Sequence, residues 1–322
     1  MAASDIRILS VGSVVQDVFL RSKAFEPHKE GKDLVEEFRL GEKYEVDEVI
    51  FSTGGGASNA AVTFSRLGFH STFVGKVGND ALGRMIMDEL HADHVETGHV
   101  HIVDGLKSGY STLLLSPIGE RSILVFHGGS TDFKPTDFDL SHLDADWMYL
   151  STFTGNYDVL EHLLKSAKHK GIKVAFNPGK GELADPERLK SILPLLTILS
   201  LNKEEMQILY HGDTPADLAR AAHQDVPFVV VTDGPNGVAA TDGQKVCVAG
   251  MYEDVPVIDR TGAGDAFSSG FTAMIAQGDS LEKAITYGSA NSTSVVQTIG
   301  AKVGILHSHH AVHDMPIDTT AI

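Results

Sequence analysis

The chain has 322 residues, 42% hydrophobic and 21% charged, and 26 Lys and Arg against 43 Asp and Glu leave a formal net charge of −17. These values predict a globular protein with room for one large α/β domain with an appendage or, equally, two domains, and the acidic balance argues against nucleic acid or an anionic membrane as partner. The single cysteine, Cys247, excludes an intramolecular disulfide and predicts a reducing, cytoplasmic setting. Met1–Asp5 lack the basic and apolar regions of a signal peptide. No apolar run reaches the roughly 18 residues of a membrane span.

Ile6–Gly12 is a short apolar run ending in glycine, the pattern of a buried strand, and Asp17 follows where that strand's end would deliver a side chain into a crevice. Over 33–52, the residues Leu34, Glu36, Phe38, Tyr44, Val46, Val49 and Phe51 fall near alternate positions, broken at Gly41, which predicts strands. From Ala57 the period changes. Ala61, Phe64, Ser65 and Leu67, stopped by Gly68, predict a helix with a glycine cap. Ahead of it, Gly54, Gly55 and Gly56 let a ligand approach the backbone, and Asn59 offers both a donor and an acceptor. A strand near 71–77 and a helix over 81–90 follow. A second strand pair, 110–116 and 122–127, turns at Pro117-Ile118-Gly119. Both pairs lack crossover helices and are set into a βα frame as insertions.

The frame then continues with a strand at 147–150, a helix at 157–170 closed by Gly171, and a strand at 172–176. A helix near 186–193, a strand at 197–200, a helix at 203–210, a strand at 228–232, a hairpin around Asp242-Gly243 and two closing helices complete it. Strands separated by helices predict an α/β protein with a parallel sheet covered on both faces. Asn202 and Glu205 share one face at a helix start, a spacing that serves helix capping as readily as a ligand near the positive helix end. Thr232 and Gly234 end a β-branched strand at the sheet's carboxyl edge, where nucleotides bind in such folds. Cys247, between valines, is predicted as core. His307, His309, His310 and His313 fit no zinc template, and the tail after Leu306 is expected to be polar and peripheral.

Asp259-Arg260-Thr261-Gly262-Ala263-Gly264-Asp265 opens the first closing helix, with Phe267, Phe271, Met274 and Ile275 at helical spacing behind it. A glycine turn at a helix start presents unpaired N–H groups and the positive dipole end, a site for phosphate. A carboxylate at that place repels phosphate, which makes sense if Asp265 takes a proton from the group attacking it. An ordinary glycine-containing helix start with an acidic first turn remains the alternative for a motif this short.

The longer string resembles the C-terminal signature of the PfkB, or ribokinase-like, family of sugar and nucleoside kinases. Gly54-Gly55-Gly56-Ala57-Ser58-Asn59 resembles the family's N-terminal one. The resemblance runs from Ile6 to about Leu306. It implies a ribokinase-like three-layer α/β fold: a mostly parallel sheet flanked by helices, with a small β-sheet lid over about 17–52 and 108–128. Residues 1–306 would form one domain and 307–322 a polar tail. The implied activity is ATP-dependent phosphorylation of a hydroxyl with Mg²⁺, with Asp265 as base and the amides of Gly262, Ala263 and Gly264 facing the phosphoryl group. Asp17, Gly54, Gly55 and Asn59 would hold the acceptor, and Asn202, Glu205, Thr232 and Gly234 would serve ATP and Mg²⁺. Many relatives hold K⁺ with residues matching Asp259, Thr261, Val295, Thr298 and Gly300.

A free monosaccharide is the favoured acceptor, a nucleoside of the adenosine type the alternative. No Lys/Arg cluster stands near Gly54–Asn59 in sequence to bind a phosphorylated sugar. Gly56 stands where ribokinases usually have lysine, Arg260 where threonine is common, and Tyr149–Thr152 lacks the glutamate of ribose-specific relatives. A non-catalytic sugar- or nucleotide-binding regulator would be expected to have lost Asp265, and a dinucleotide-dependent dehydrogenase would need a G-x-G-x-x-G that Gly12-Ser13-Val14 does not supply. Each lid strand pair has one face to bury, against the acceptor, the main domain or a second subunit's lid, the last of which would make a homodimer.

Overall fold

The computed structural model describes residues 3–322 apart from Gly119, Asp139 and Ser141 and the side chains of Ser4 and Ser130. Gly119 of the predicted turn, and Met1 and Ala2 of the predicted domain, therefore lie outside the described residues. The chain opens with β1 (Arg7–Val11) and β2 (Val15–Arg21), then β3 (His28–Glu30), β4 (Asp33–Val35) and β5 (Glu48–Gly54). Helix α1 (Gly56–Arg66), β6 (His70–Val74), β7 (Lys76–Gly78) and α2 (Ala81–Ala92) follow, then β8 (His101–Val103), β9 (Gly109–Leu115) and β10 (Arg121–Phe126). Strand and helix alternate through β11 (Trp147–Leu150), α3 (Tyr157–Lys170), β12 (Lys173–Phe176), α4 (Lys180–Leu183), α5 (Pro186–Ile192) and β13 (Ile198–Asn202). Next come α6 (Lys203–Leu209), α7 (Pro215–Ala222), β14 (Phe228–Thr232), β15 (Val238–Thr241) and β16 (Lys245–Ala249). The chain closes with α8 (Ala263–Gln277), α9 (Leu281–Val295) and β17 (Ile317–Ala321).

Nine strands make the main sheet in the order β17-β16-β15-β14-β13-β12-β11-β1-β6, parallel from β6 to β14 and antiparallel beyond. Its two faces carry separate cores. One buries Leu160, Leu163 and Leu164 of α3 with Leu189, Met206 and Leu218 of the following helices. The other buries Ala60 and Phe64 of α1 with Phe267, Phe271 and Met274 of α8 and Ile285 of α9. Helix α3 shows how locally this is encoded: Asn156 caps it by accepting from the Val159 amide, worth about 1 kcal/mol, and Gly171 stops it at φ +70°.

A second sheet, β10-β9-β2-β5, stands apart from this frame. β2 runs parallel to β9 and antiparallel to β5, and β9 and β10 form a hairpin. Its inner side packs Phe19, Leu113 and Leu115 with Ile50 and Ile299.

Three expectations differ. Most of 36–47 is irregular, and only Asp33–Val35 and Glu48–Gly54 are strands, because Phe25, Phe38 and Tyr44 pack edge to face on one another instead of joining a ladder. Asp17 lies in mid-β2, within the second sheet, and not at the end of β1. The tail is polar but not merely peripheral: β17 pairs antiparallel with β16 and closes the main sheet's edge.

Candidate active site

Gly262 precedes α8 with φ +79°, a conformation that L side chains rarely adopt, and a Cβ there would overlap Ala301. The Ala263 amide turns back to Arg260 O at 3.3 Å, and Ala266 donates to Gly262 O at 2.8 Å. This revises the expected set of anion-facing amides: Ala263 is engaged inside the turn. The amides of Gly264 and Asp265, like the first donors of any helix, have no partner among the described residues. A Cβ on Gly264 would meet nothing within 4 Å.

Asp265 is held by a residue from far away in sequence. Asn59, on the first turn of α1, donates from Nδ2 to Asp265 Oδ2 at 2.8 Å. Burial pushes the Asp265 carboxyl above its usual range, against the opposing pull of the Asn59 hydrogen bond and the Lys302 charge. Asn59 Oδ1 is buried without a hydrogen-bond partner.

The three glycines before α1 each answer a different neighbour. A Cβ on Gly54 would overlap Asp17 Oδ2, and one on Gly55, at φ +97°, would lie 2.5 Å from Ser13 O. On Gly56 it would lie 2.5 Å from Ser151 Oγ and 2.9 Å from Asp265 Oδ1. The Gly54–Asn59 segment thus touches Asp17 at one end and Asp265 at the other. Asp17 is buried, which raises its pKa to about 6 despite a hydrogen bond with Ser111 and the charge of Lys302.

Lys302 has no counterpart in the sequence reading. It is 2% exposed, contacts Thr53 Oγ1 through Nζ, and is brought down to about 8 by burial, with Glu89, Asp93 and Asp17 opposing that fall. A cation therefore does stand near Gly54–Asn59 in space, contrary to what the local sequence suggested. It is covered and already balanced by carboxylates.

At the carboxyl edge of the main sheet, Asn202 and Thr232 are neighbours in the β13–β14 register. Asn202 caps α6: its Oδ1 accepts from the Glu205 amide at 2.9 Å while Glu205 Oε2 accepts from the Asn202 amide at 3.1 Å. Burial raises the Glu205 carboxyl. Thr232 and Gly234 join Ala263 and Gly264 in lining one cavity of about 160 Å³, whose far wall carries Tyr252, Ser289 and Thr293. Asn202 and Glu205 do not line it. Tyr252, Ser289 and Thr293 carry no signal in sequence: Ser289 and Thr293 lie on α9, which shows only its core periodicity, and Tyr252 lies in the irregular stretch after β16.

Asp259 sits behind the turn, 3% exposed. Its Oδ1 accepts from the Thr261 amide at 3.0 Å and from Thr261 Oγ1 at 2.7 Å, and its Oδ2 accepts from the Gly300 amide at 3.1 Å. Val295 O accepts from the Thr298 amide at 3.1 Å and Thr298 Oγ1 at 3.2 Å. The five residues expected around K⁺ do come together, and the side-chain oxygens of Asp259, Thr261 and Thr298 and the carbonyl of Val295 are held in hydrogen bonds among them. Among the described residues no cluster of three or more His, Cys, Asp or Glu side chains is disposed to hold a metal. Mg²⁺ needs no such cluster, since it is usually held by substrate phosphates, water and one or two carboxylates.

The sequence profile described as pfkB family carbohydrate kinase matches residues 6–307. The chain belongs to this family. Over 290 residues this kinase is 29% identical to the probable fructokinase-7 of Arabidopsis thaliana, covering 81% of its own length and 83% of that protein's. It is 25% identical over 277 residues to the ribokinase of Haemophilus influenzae, with 82% and 86% covered. The structure of Arabidopsis thaliana ribokinase complexed with ribose and ATP matches at a TM-score of 0.78 and 23% identity, over 94% of this chain and 96% of that one. A nucleoside kinase of Methanocaldococcus jannaschii matches at 0.76 and 20%, over 93% and 94%. The fold is ribokinase-like, and the protein is an ATP-using phosphotransferase of the sugar and nucleoside kinase group. No helix among the described residues is long and apolar enough to cross a membrane.

Proposed function

We propose that this kinase transfers the γ-phosphoryl group of ATP to a hydroxyl of a free monosaccharide. The observation that carries the reading is the placement of Asp17 and Asp265 at opposite ends of the Gly54–Asn59 segment, with Asn59 fixing Asp265 at 2.8 Å. An acceptor held by Asp17 and Asn59 has one hydroxyl within reach of Asp265. The carboxylate takes its proton as the hydroxyl oxygen bonds to the γ-phosphorus, and the bond from that phosphorus to the β–γ bridging oxygen breaks to release ADP. The raised Asp265 carboxyl is a stronger base than an exposed aspartate. The amides of Gly264 and Asp265, at the positive end of α8, face the charge on the transferred group, where one such donor is worth about 10²–10³ in rate.

Thr232 and Gly234 border the nucleotide cavity, and Glu205, with its N-cap partner Asn202, would order the water around Mg²⁺, which would neutralise phosphate charge. Lys302 is covered and engaged, so it does not offer itself to a second phosphate on the acceptor. Cys247, buried and unpaired, suits a reducing cytoplasm. Residues 1–306 act as one catalytic unit with the lid as part of it. The outer edge of that lid, where Leu124 is 62% and Phe126 54% exposed, suits pairing with a second lid.

The test is ADP release across a panel of monosaccharides, nucleosides and sugar phosphates at saturating Mg²⁺ and ATP. A free monosaccharide as the best acceptor is the expected result. A nucleoside or a sugar phosphate as best acceptor would overturn the assignment while keeping the kinase.

A further inference from the structure

The buried carboxylate of Asp259 braces the catalytic turn, because both of its oxygens take donors from the segments that flank Gly262. A carboxylate this deep needs a compensating positive charge. The structure supplies one from the lid. Arg121, the first residue of β10, brings its Nε to 3.9 Å from Asp259 Oδ1, and its side chain is three-quarters buried. That Nε is buried and has no hydrogen-bond partner. Two carbonyls beside the pair already hold donors: Val295 O accepts from Thr298, and Val296 O accepts from the amides of Ile258 at 2.8 Å and Asp259 at 3.3 Å. A monovalent cation beside Asp259 would compete with the Arg121 guanidinium for the same carboxylate.

We propose that the Arg121 guanidinium is the counter-charge of Asp259, and that this kinase works without a monovalent cation at its catalytic turn. A guanidinium stays charged at any working pH and cannot exchange with the salt of the medium. It also arrives on a lid strand. The charge behind the turn is therefore complete when β10 lies where the structure shows it, so lid position and the setting of Gly262–Asp265 are linked through a single ion pair.

The inference rests on the kinase reading for its rate arm and is independent of it for its stability arm. The protein is compared in KCl and in tetramethylammonium chloride at equal ionic strength, by thermal melting and by ADP release with the best acceptor. The wild type is expected to melt at the same temperature in both salts and to turn over within about twofold, as a site that binds no ion gains nothing from it. Arg121→Gln is expected to lose about tenfold or more in turnover in tetramethylammonium, as an uncompensated buried charge is costly, and to be raised in both melting temperature and rate by K⁺. Arg121→Lys should remain indifferent to K⁺. If Arg121→Gln fails to fold, the pair Arg121→Gln with Asp259→Asn, which removes both charges, is expected to recover the melting transition; no recovery overturns the pairing. A wild type that K⁺ stabilises and activates tenfold overturns the proposal. If no acceptor is phosphorylated, the kinase reading fails, and the melting comparison still decides this one.

Discussion

The two sheets of this kinase are built by different rules, and the candidate site lies on the seam between them. The nine-stranded sheet is buried on both faces, and its inner strands are nearly continuous apolar runs such as Val229–Val231. The four-stranded sheet buries one face around Phe19 and Leu113 and leaves Val49, Phe51, Ile123, Leu124, Val125 and Phe126 about half exposed. From the first sheet's layers come the groups that must not move: Asp265 on α8, Asn59 on α1, and Thr232 at the end of β14. From the second come Asp17 with its partner Ser111, proposed above to meet the acceptor, and Arg121, which reaches the back of the turn. On the proposed function, the difference separates a floor that would do the chemistry from a smaller cover that would select and enclose the acceptor.

That division is broken most directly by disturbing the floor. Short of removing Asp265, the largest effect is expected from Gly56→Ala, whose new methyl would press on Ser151 Oγ at 2.5 Å and Asp265 Oδ1 at 2.9 Å. Displacing a base by a fraction of an ångström costs about 10²-fold. Steady-state kinetics should show the loss in kcat with a melting temperature close to wild type; an unchanged kcat would detach Gly56 from the site.

Asp17→Ala acts on the cover and is expected to raise the acceptor KM by about tenfold to a hundredfold, the loss of one or two charge-assisted hydrogen bonds. Nucleotide affinity, read by calorimetry with a non-hydrolysable analogue, should stay put. An equal loss of nucleotide binding would merge the two halves of the site.

A subtler effect is on pH. Asp17 accepts acceptor hydroxyls best when ionised, so the acceptor KM should rise as pH falls through about 6. The same raised pKa means that folded protein holds this proton more tightly than unfolded protein, so its contribution to stability is full below about 4 and is lost as pH climbs to about 6. Lys302 lowers the Asp17 value, and Lys302→Met should therefore move the KM limb to higher pH. A limb that moves down or not at all would refute the coupling between the two buried groups.

The frame was legible in the sequence because its signals are local. Gly171 and Gly262 mark helix boundaries through backbone conformations that glycine favours, and Val229–Val231 reads as strand from its β-branched run. The site was legible only where a motif lies in one stretch. Asn59 and Asp265 are 206 residues apart, yet each belongs to its own short signature. Lys302 and Arg121 belong to none: one is a lone lysine after Gly300-Ala301, the other a lone arginine after a hairpin turn, and only the fold carries their charges to Asp17 and Asp259. Asp17 escaped placement for a related reason, since a buried polar residue inside a strand looks like a loop residue in sequence.

The smallest expected effect is at the exposed edge of the cover. Phe126→Ser should leave kcat and KM within about twofold, as exposed positions away from contacts change little, while shifting any dimer measured by light scattering toward monomer. A drop in kcat would place β10 in the chemistry itself.

The central claim is that Asp265 is the base that deprotonates the acceptor, and Asp265→Asn tests it most directly, since the amide fills the same space between Asn59 and Gly56 but takes no proton. Turnover with the best acceptor, nucleotide affinity and melting temperature are measured on the same preparation. Turnover is expected to fall by about 10²–10⁴-fold with affinity and melting temperature close to wild type; a variant that keeps more than about a tenth of wild-type turnover, less than the smallest loss general-base removal is expected to cause, would rule Asp265 out as the base.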